Sequence, residues 1–161
     1  MAAIEAGALA PEFTWSAIDG KTYALKEALA TGPVLVAFFK VSCPICQLAF
    51  PYLERFGRHF GRVWGVSQDD AAGSRDFARS YGITFPILLE ETRRYPTSNA
   101  YGLTHVPSIF LIGGSGEILS TSVGFVKKDL EDLARKMESL TGKKGFSPFH
   151  AGEDVPAFKS G

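Results

Sequence analysis

The chain has 161 residues, and its 17 Lys plus Arg balance its 17 Asp plus Glu. At about 100–200 residues per domain, this predicts one domain over residues 1–161, and 45% hydrophobic with 21% charged residues argues against disorder. Without net charge there is no global field to hold nucleic acid or an anionic membrane, so neither is expected as a partner. In chain order, Phe13 to Leu25 reads as a β-hairpin turned by Asp19-Gly20, with Phe13 and Trp15 on one face. A short helix over Lys26–Ala30 ends at Gly32-Pro33. Val34–Phe39 is the longest purely apolar run. It is far short of the about 20 residues that span a bilayer, and it reads as a central strand buried on both faces.

A helix is expected from about Cys43 to Phe60, because Ala49, Phe50, Leu53, Phe56 and Phe60 fall at helical spacing. Pro51 lies inside it and predicts a kink. Arg62–Ser67 is the next strand, followed by a cap at Gln68-Asp69-Asp70 and a helix with Phe77, Ala78 and Tyr81 on its apolar face. Phe85–Leu89 reads as a strand. A polar helix-like stretch over Glu91–Tyr101 is interrupted by Pro96. Ser108–Ile112 and Glu117–Val123 form a second hairpin through Gly113–Gly116. Leu130, Leu133, Ala134, Met137 and Leu140 then make the clearest amphipathic helix, ended by Gly142. Strands alternating with helices predict an α/β layer fold. The last segment, 141–161, lacks periodicity and is either a tail or a strap. Its Phe146, Phe149 and Phe158 need burial on the domain or on a second subunit.

The two cysteines, Cys43 and Cys46, carry the chemistry. A buried strand ending at Phe39, then Lys40-Val41-Ser42, places Cys43 at the start of a helix. Unpaired amides and the positive end of the helix dipole stabilise a thiolate there. Cys46 lies nearly one turn later on the same face, and Pro44 suits the first turn because it needs no amide partner. One sulfur can attack and the other can resolve, which is dithiol–disulfide exchange through a mixed disulfide. A zinc finger starting Cys43, Cys46, His59 fails, because Val63, Trp64 and Gly65 stand where the second histidine belongs. Lys40 stabilises the thiolate if its ammonium points at the sulfur, and is otherwise a solvated loop lysine. Ser42 could cap the helix. His105 precedes Val106-Pro107-Ser108 at the start of a strand, and could tune the thiolate or carry a proton near neutral pH. His59 and His150 read as surface residues.

The ordered set Ala10-Pro11-Glu12-Phe13, the hairpin Trp15 to Tyr23, Ser42-Cys43-Pro44-Ile45-Cys46, Pro51, Ile83 to Leu88 and Val106 to Ile112 resembles the thioredoxin-like redoxins over about residues 8–140. This branch includes the TlpA/ResA thiol-disulfide oxidoreductases and the AhpC/TSA peroxiredoxins. The resemblance implies a thioredoxin-like α/β fold. Helices would flank a central mixed sheet, with an N-terminal hairpin and an inserted helix-strand unit at Arg75–Leu89. It implies Cys43 as nucleophile, Cys46 as resolving cysteine, and Pro107 as a cis-proline that, with Val106, aligns the substrate backbone. Pro44 and Ile45, between the cysteines, would help set the redox behaviour.

The departures from the family pattern are specific. Ala37 stands where thioredoxins bury an aspartate, and Ala49 where TlpA/ResA-like proteins often place a glutamate. Val36 and Lys40 replace the proline and threonine of the peroxiredoxin motif, and no arginine near Val106 to Ser108 matches the peroxiredoxin one. Disulfide exchange is therefore expected ahead of a thiol peroxidase, and both ahead of a Sco-like copper chaperone using Cys43, Cys46 and His105. No cofactor beyond a redox-active Cys43–Cys46 disulfide and no resident metal are expected. Implied partners are a protein or small-molecule disulfide and an electron donor, with the chain a monomer or homodimer. Met1–Pro11 lacks a basic start followed by an apolar stretch, so a cytoplasmic location is expected.

Overall fold

The computed structural model describes residues 2–161. The chain runs β1 (Thr14–Ser16), β2 (Thr22–Ala24), α1 (Leu25–Leu29), β3 (Val34–Phe39), α2 (Pro44–Phe60), β4 (Val63–Ser67), α3 (Ala71–Tyr81), β5 (Ile87–Leu89), α4 (Pro96–Ala100), β6 (Ser108–Ile112), β7 (Ile118–Val123), β8 (Phe125–Val126), α5 (Lys127–Thr141) and β9 (Phe158–Lys159). A five-stranded sheet has the order β5-β4-β3-β6-β7, with β3, β4 and β5 parallel and β6 antiparallel to both neighbours. This is the mixed central sheet with flanking helices and separate hairpin that the sequence predicts. Among the described residues, no helix is long and apolar enough to cross a membrane.

The unbroken apolar run of β3 is explained by its two faces. Successive side chains alternate. Leu35, Ala37 and Phe39 pack into the cluster under α2, α3 and α5, whereas Val34, Val36 and Phe38 pack against the hairpin, α1 and Tyr101. All six are essentially inaccessible. Beside them, a Cβ at Gly65 in β4 would lie 3.3 Å from the rings of Phe39 and Phe50, so any larger residue there would push those rings back by a few tenths of an ångström.

Three boundaries differ from expectation. Pro96 starts α4 rather than interrupting a helix, since a proline at the first helical position needs no amide partner. The 91–95 stretch is a turn in which Glu91 accepts from the Arg93 and Arg94 amides. The strand expected from Phe85 shortens to Ile87–Leu89. Of the two forms expected for the last segment, 143–161 takes the strap. It packs Phe146 on Phe56, Phe60 and His59, and Phe149 on Tyr52, then adds β9 antiparallel to β8. Phe158 is 60% exposed, so the burial expected for it does not occur. His59 is not a bland surface residue, because it stacks under Phe146 at 5.0 Å.

Glu54 locks α2 to the segment before β5. Its buried carboxylate accepts from the Thr84 amide (2.8 Å), the Thr84 hydroxyl (2.5 Å), the Phe85 amide (3.4 Å) and Arg58 Nε (2.9 Å). Burial pushes this carboxyl up, but the bonds from Thr84, Arg58 and Phe85 outweigh it and hold the group below its ordinary 4.5. A depressed carboxyl stabilises the fold above its unfolded value and loses that contribution as pH falls through the folded one. Glu54→Ala is expected to cost about 2 kcal/mol in urea unfolding at pH 7, because buried donors lose their acceptor. The gap to the parent chain should narrow as pH drops below 4.5.

Candidate active site

The turn from β3 into α2 is clamped before the helix begins. The Val41 amide donates to Asp69 Oδ2 at 2.8 Å, and Gln47 Nε2 reaches back to the Val41 carbonyl at 3.0 Å. The Cys43 amide donates to the Lys40 carbonyl. Cys43 is then the N-cap of α2, with extended backbone (φ −79°, ψ 114°) and Pro44 as the first helical residue. Its sulfur takes the place of a capping oxygen, accepting the Cys46 amide at 3.1 Å. Ser42 is exposed outside the helix and is not the cap, because Cys43 itself holds that position. The aspartate and glutamine clamps were not foreseen. Within the expected capping turn Gln68-Asp69-Asp70 it is Asp70 that caps α3, accepting from the Gly73 amide.

Both cysteines are free thiols with opposite environments. Cys43 is half-buried and its Sγ donates to the Val106 carbonyl at 3.5 Å. Cys46 is fully buried, in the same apolar cluster as Ala37 and Ala49. Burial pushes the Cys46 thiol far up from its ordinary value, and the contact with Cys43 adds to the shift. Ala37 and Ala49, which stand where the thioredoxin and TlpA/ResA patterns place acids, are thus buried apolar residues of the cluster that holds the second sulfur.

The opposite wall is the loop before β6. The Val106–Pro107 peptide is cis. Pro107 is buried, and its carbonyl accepts the Gly124 amide at 2.8 Å. Ser108 Oγ donates to the His105 carbonyl at 2.7 Å, which fixes the approach to the proline. Pro44 is exposed and Ile45 half-buried at the outer rim. Lys40 and His105 line a recess of about 200 Å³ with Gln68, Leu103, Thr104 and Val106, in which neither cysteine takes part. His105 is exposed, with Nδ1 3.0 Å from Thr104 Oγ1. Among the described residues, no three His, Cys, Asp or Glu side chains converge as a metal site, so His105 is not brought to the two sulfurs.

With this geometry in place, known proteins give it a family. The chain is 27% identical over 143 residues to the thiol-disulfide oxidoreductase ResA of Geobacillus thermodenitrificans, covering 86% of this chain and 79% of that one. Its fold is similar to the thioredoxin domain of a thiol-disulfide oxidoreductase from Bacteroides vulgatus (TM-score 0.73, 22% identity, 83% of this chain and 97% of that one). It is also similar to the peroxidoxin BcpB of Mycobacterium tuberculosis (TM-score 0.67, 18% identity, 84% and 95%). The AhpC/TSA family model matches residues 6–121. The chain is therefore a member of the AhpC/TSA family.

Proposed function

We propose that the protein is a thiol-disulfide oxidoreductase in which Cys43 attacks and Cys46 resolves. The observation that carries this reading is the asymmetry of the pair. One sulfur caps a helix at the surface and accepts the Cys46 amide, and the other lies fully buried one turn behind it. The resemblance to ResA supports the same reaction class. The peroxidoxin likeness supports only the fold, and Val36 is a buried core residue where the peroxiredoxin motif needs its proline.

The reaction proceeds in two exchanges. The Cys43 thiolate forms a bond to one substrate sulfur, and the substrate S–S bond breaks with release of one thiolate. Cys46 then gives up its proton and attacks Cys43 Sγ. The mixed disulfide breaks, the second substrate thiolate leaves, and two electrons have passed to the substrate. A dithiol donor reverses the sequence on Cys43–Cys46 to regenerate the enzyme. Val106 and Pro107 shape the surface beside the attacking sulfur.

The two steps have different demands. The first draws on the helix N-terminus. The second needs a thiolate from a buried thiol with no acid beside it, so resolution is the slow step. Cys46→Ser is expected to accumulate a one-to-one mixed disulfide with a disulfide substrate, visible by mass, while Cys43→Ser forms none. Resolution by the parent chain, followed by stopped flow, should accelerate about tenfold per pH unit from pH 7 to 9, because the thiolate fraction of a thiol with a raised pKa grows at that rate. A pH-independent release of product would mean that another group takes the Cys46 proton.

A further inference from the structure

The strap has a fixed anchor and a lightly held end. Residues 146–155 are anchored by the aromatic contacts of Phe146 and Phe149 and by Arg55, which bonds the Pro148 carbonyl and holds Glu153 bidentately at 2.6 and 2.8 Å. Residues 157–161 are all exposed, and their interaction with the body is backbone pairing: Phe125 with Lys159, Val126 with Phe158, and the Lys127 amide to the Ala157 carbonyl at 3.0 Å. This weak end reaches the active site. A Cβ on Gly161 would clash with the Val106 carbonyl oxygen, and a Cβ on Gly124 would stand 2.7 Å from the Lys159 carbonyl oxygen. The strap backbone therefore lies directly on the Val106–Gly124 edge. The same Val106 oxygen is 3.5 Å from the attacking sulfur of Cys43, so a single carbonyl separates the strap from the nucleophile.

We propose that residues 157–161 are the specificity-determining wall of the site: they cover the Val106–Gly124 backbone edge that an extended polypeptide disulfide would run along, and leave small disulfides open access to Cys43. The inference rests on the disulfide-exchange reading. A polypeptide whose disulfide reaches Cys43 Sγ must carry its main chain past Val106, and the strap already occupies that ground. Because 157–161 buries no large side chain and is held by a few ladder bonds, it can peel away while the 146–155 anchor stays. A polypeptide substrate then reacts at a rate reduced by the fraction of molecules in which the end is released. A small disulfide needs no such opening.

The test compares the parent chain with a chain ending at Pro156, each reduced, against insulin and against the small aromatic disulfide dithiobis(nitrobenzoate). Removing residues 157–161 should raise kcat/KM for insulin about tenfold, the scale set by a few net backbone hydrogen bonds, and leave the small disulfide within about twofold. Gly161→Leu, which deletes nothing but cannot fit against Val106, should shift the insulin-to-small-disulfide ratio in the same direction. It also decides the matter if the shortened chain fails to fold. An unchanged or lowered ratio in a folded variant overturns the wall. If the parent chain exchanges with neither disulfide, the oxidoreductase reading itself falls, and the wall with it.

Discussion

The amide of Cys46 donating to the sulfur of Cys43 is the contact around which the site is organised. An N-cap residue must leave the helical backbone conformation so that its side chain can turn back to the first turn's free amides. Giving that position to a cysteine sets the attacking sulfur at the helix mouth and, by the same geometry, sets the residue three positions later one turn behind it. The preceding loop exists to keep this register. Asp69 holds the Val41 amide and Gln47 holds the Val41 carbonyl, so the chain between β3 and α2 is fixed from both sides. Register in β3 matters for the same reason. Slipping it by one residue would turn Val36 rather than Ala37 toward the α2 side and put a larger side chain into that cluster.

The apolar setting of Cys46 follows from that packing. Ala37 and Ala49 are buried in the same cluster as Cys46, and burial disfavours its thiolate. An acid there would be exposed to the same penalty unless it stayed protonated or gained donors, and the cluster around it is apolar. The site therefore leaves Cys43 half-buried at the helix mouth and seals Cys46 in the apolar cluster. That order suits a nucleophile that must attack first and a partner that must wait.

Much of this architecture was legible in the sequence, because it rests on local rules. The six-residue apolar run of β3, the turn at Asp19-Gly20, the capping of α3 and the Gly142 stop of α5 all depend on residues within a few positions of one another. The two cysteines were legible because their spacing, between a buried strand and a helix start and with no second histidine after His59, points to dithiol chemistry. What was not legible depends on distant partners. Ser42 and Cys43 are both able to cap, and the backbone that chooses Cys43 is held by Asp69, far along the chain. The strap offers no periodicity, since its aromatic residues answer to holes on α2 rather than to one another. Phe158 looked like a core residue by type. It is exposed because its contribution is made by its backbone, as half of a two-residue strand.

The buried acids that do exist sharpen the point about Cys46. Glu54 sits on the same helix, eight residues on, which is about 12 Å along the axis at 1.5 Å per residue, and its oxygens are taken by Thr84, Phe85 and Arg58. Glu90 follows the edge strand β5, two strands from β3. It caps α4 by accepting the Ser98 amide and hydroxyl, both at 2.6 Å. Burial raises the Glu90 carboxyl, and the Ser98 bonds only partly offset that. Neither group can serve the second sulfur without abandoning the segment it holds. On the exchange reading, the Cys46 proton then passes to solvent that reaches the buried thiol, in line with the pH-dependent resolution expected of a group whose charged form burial disfavours.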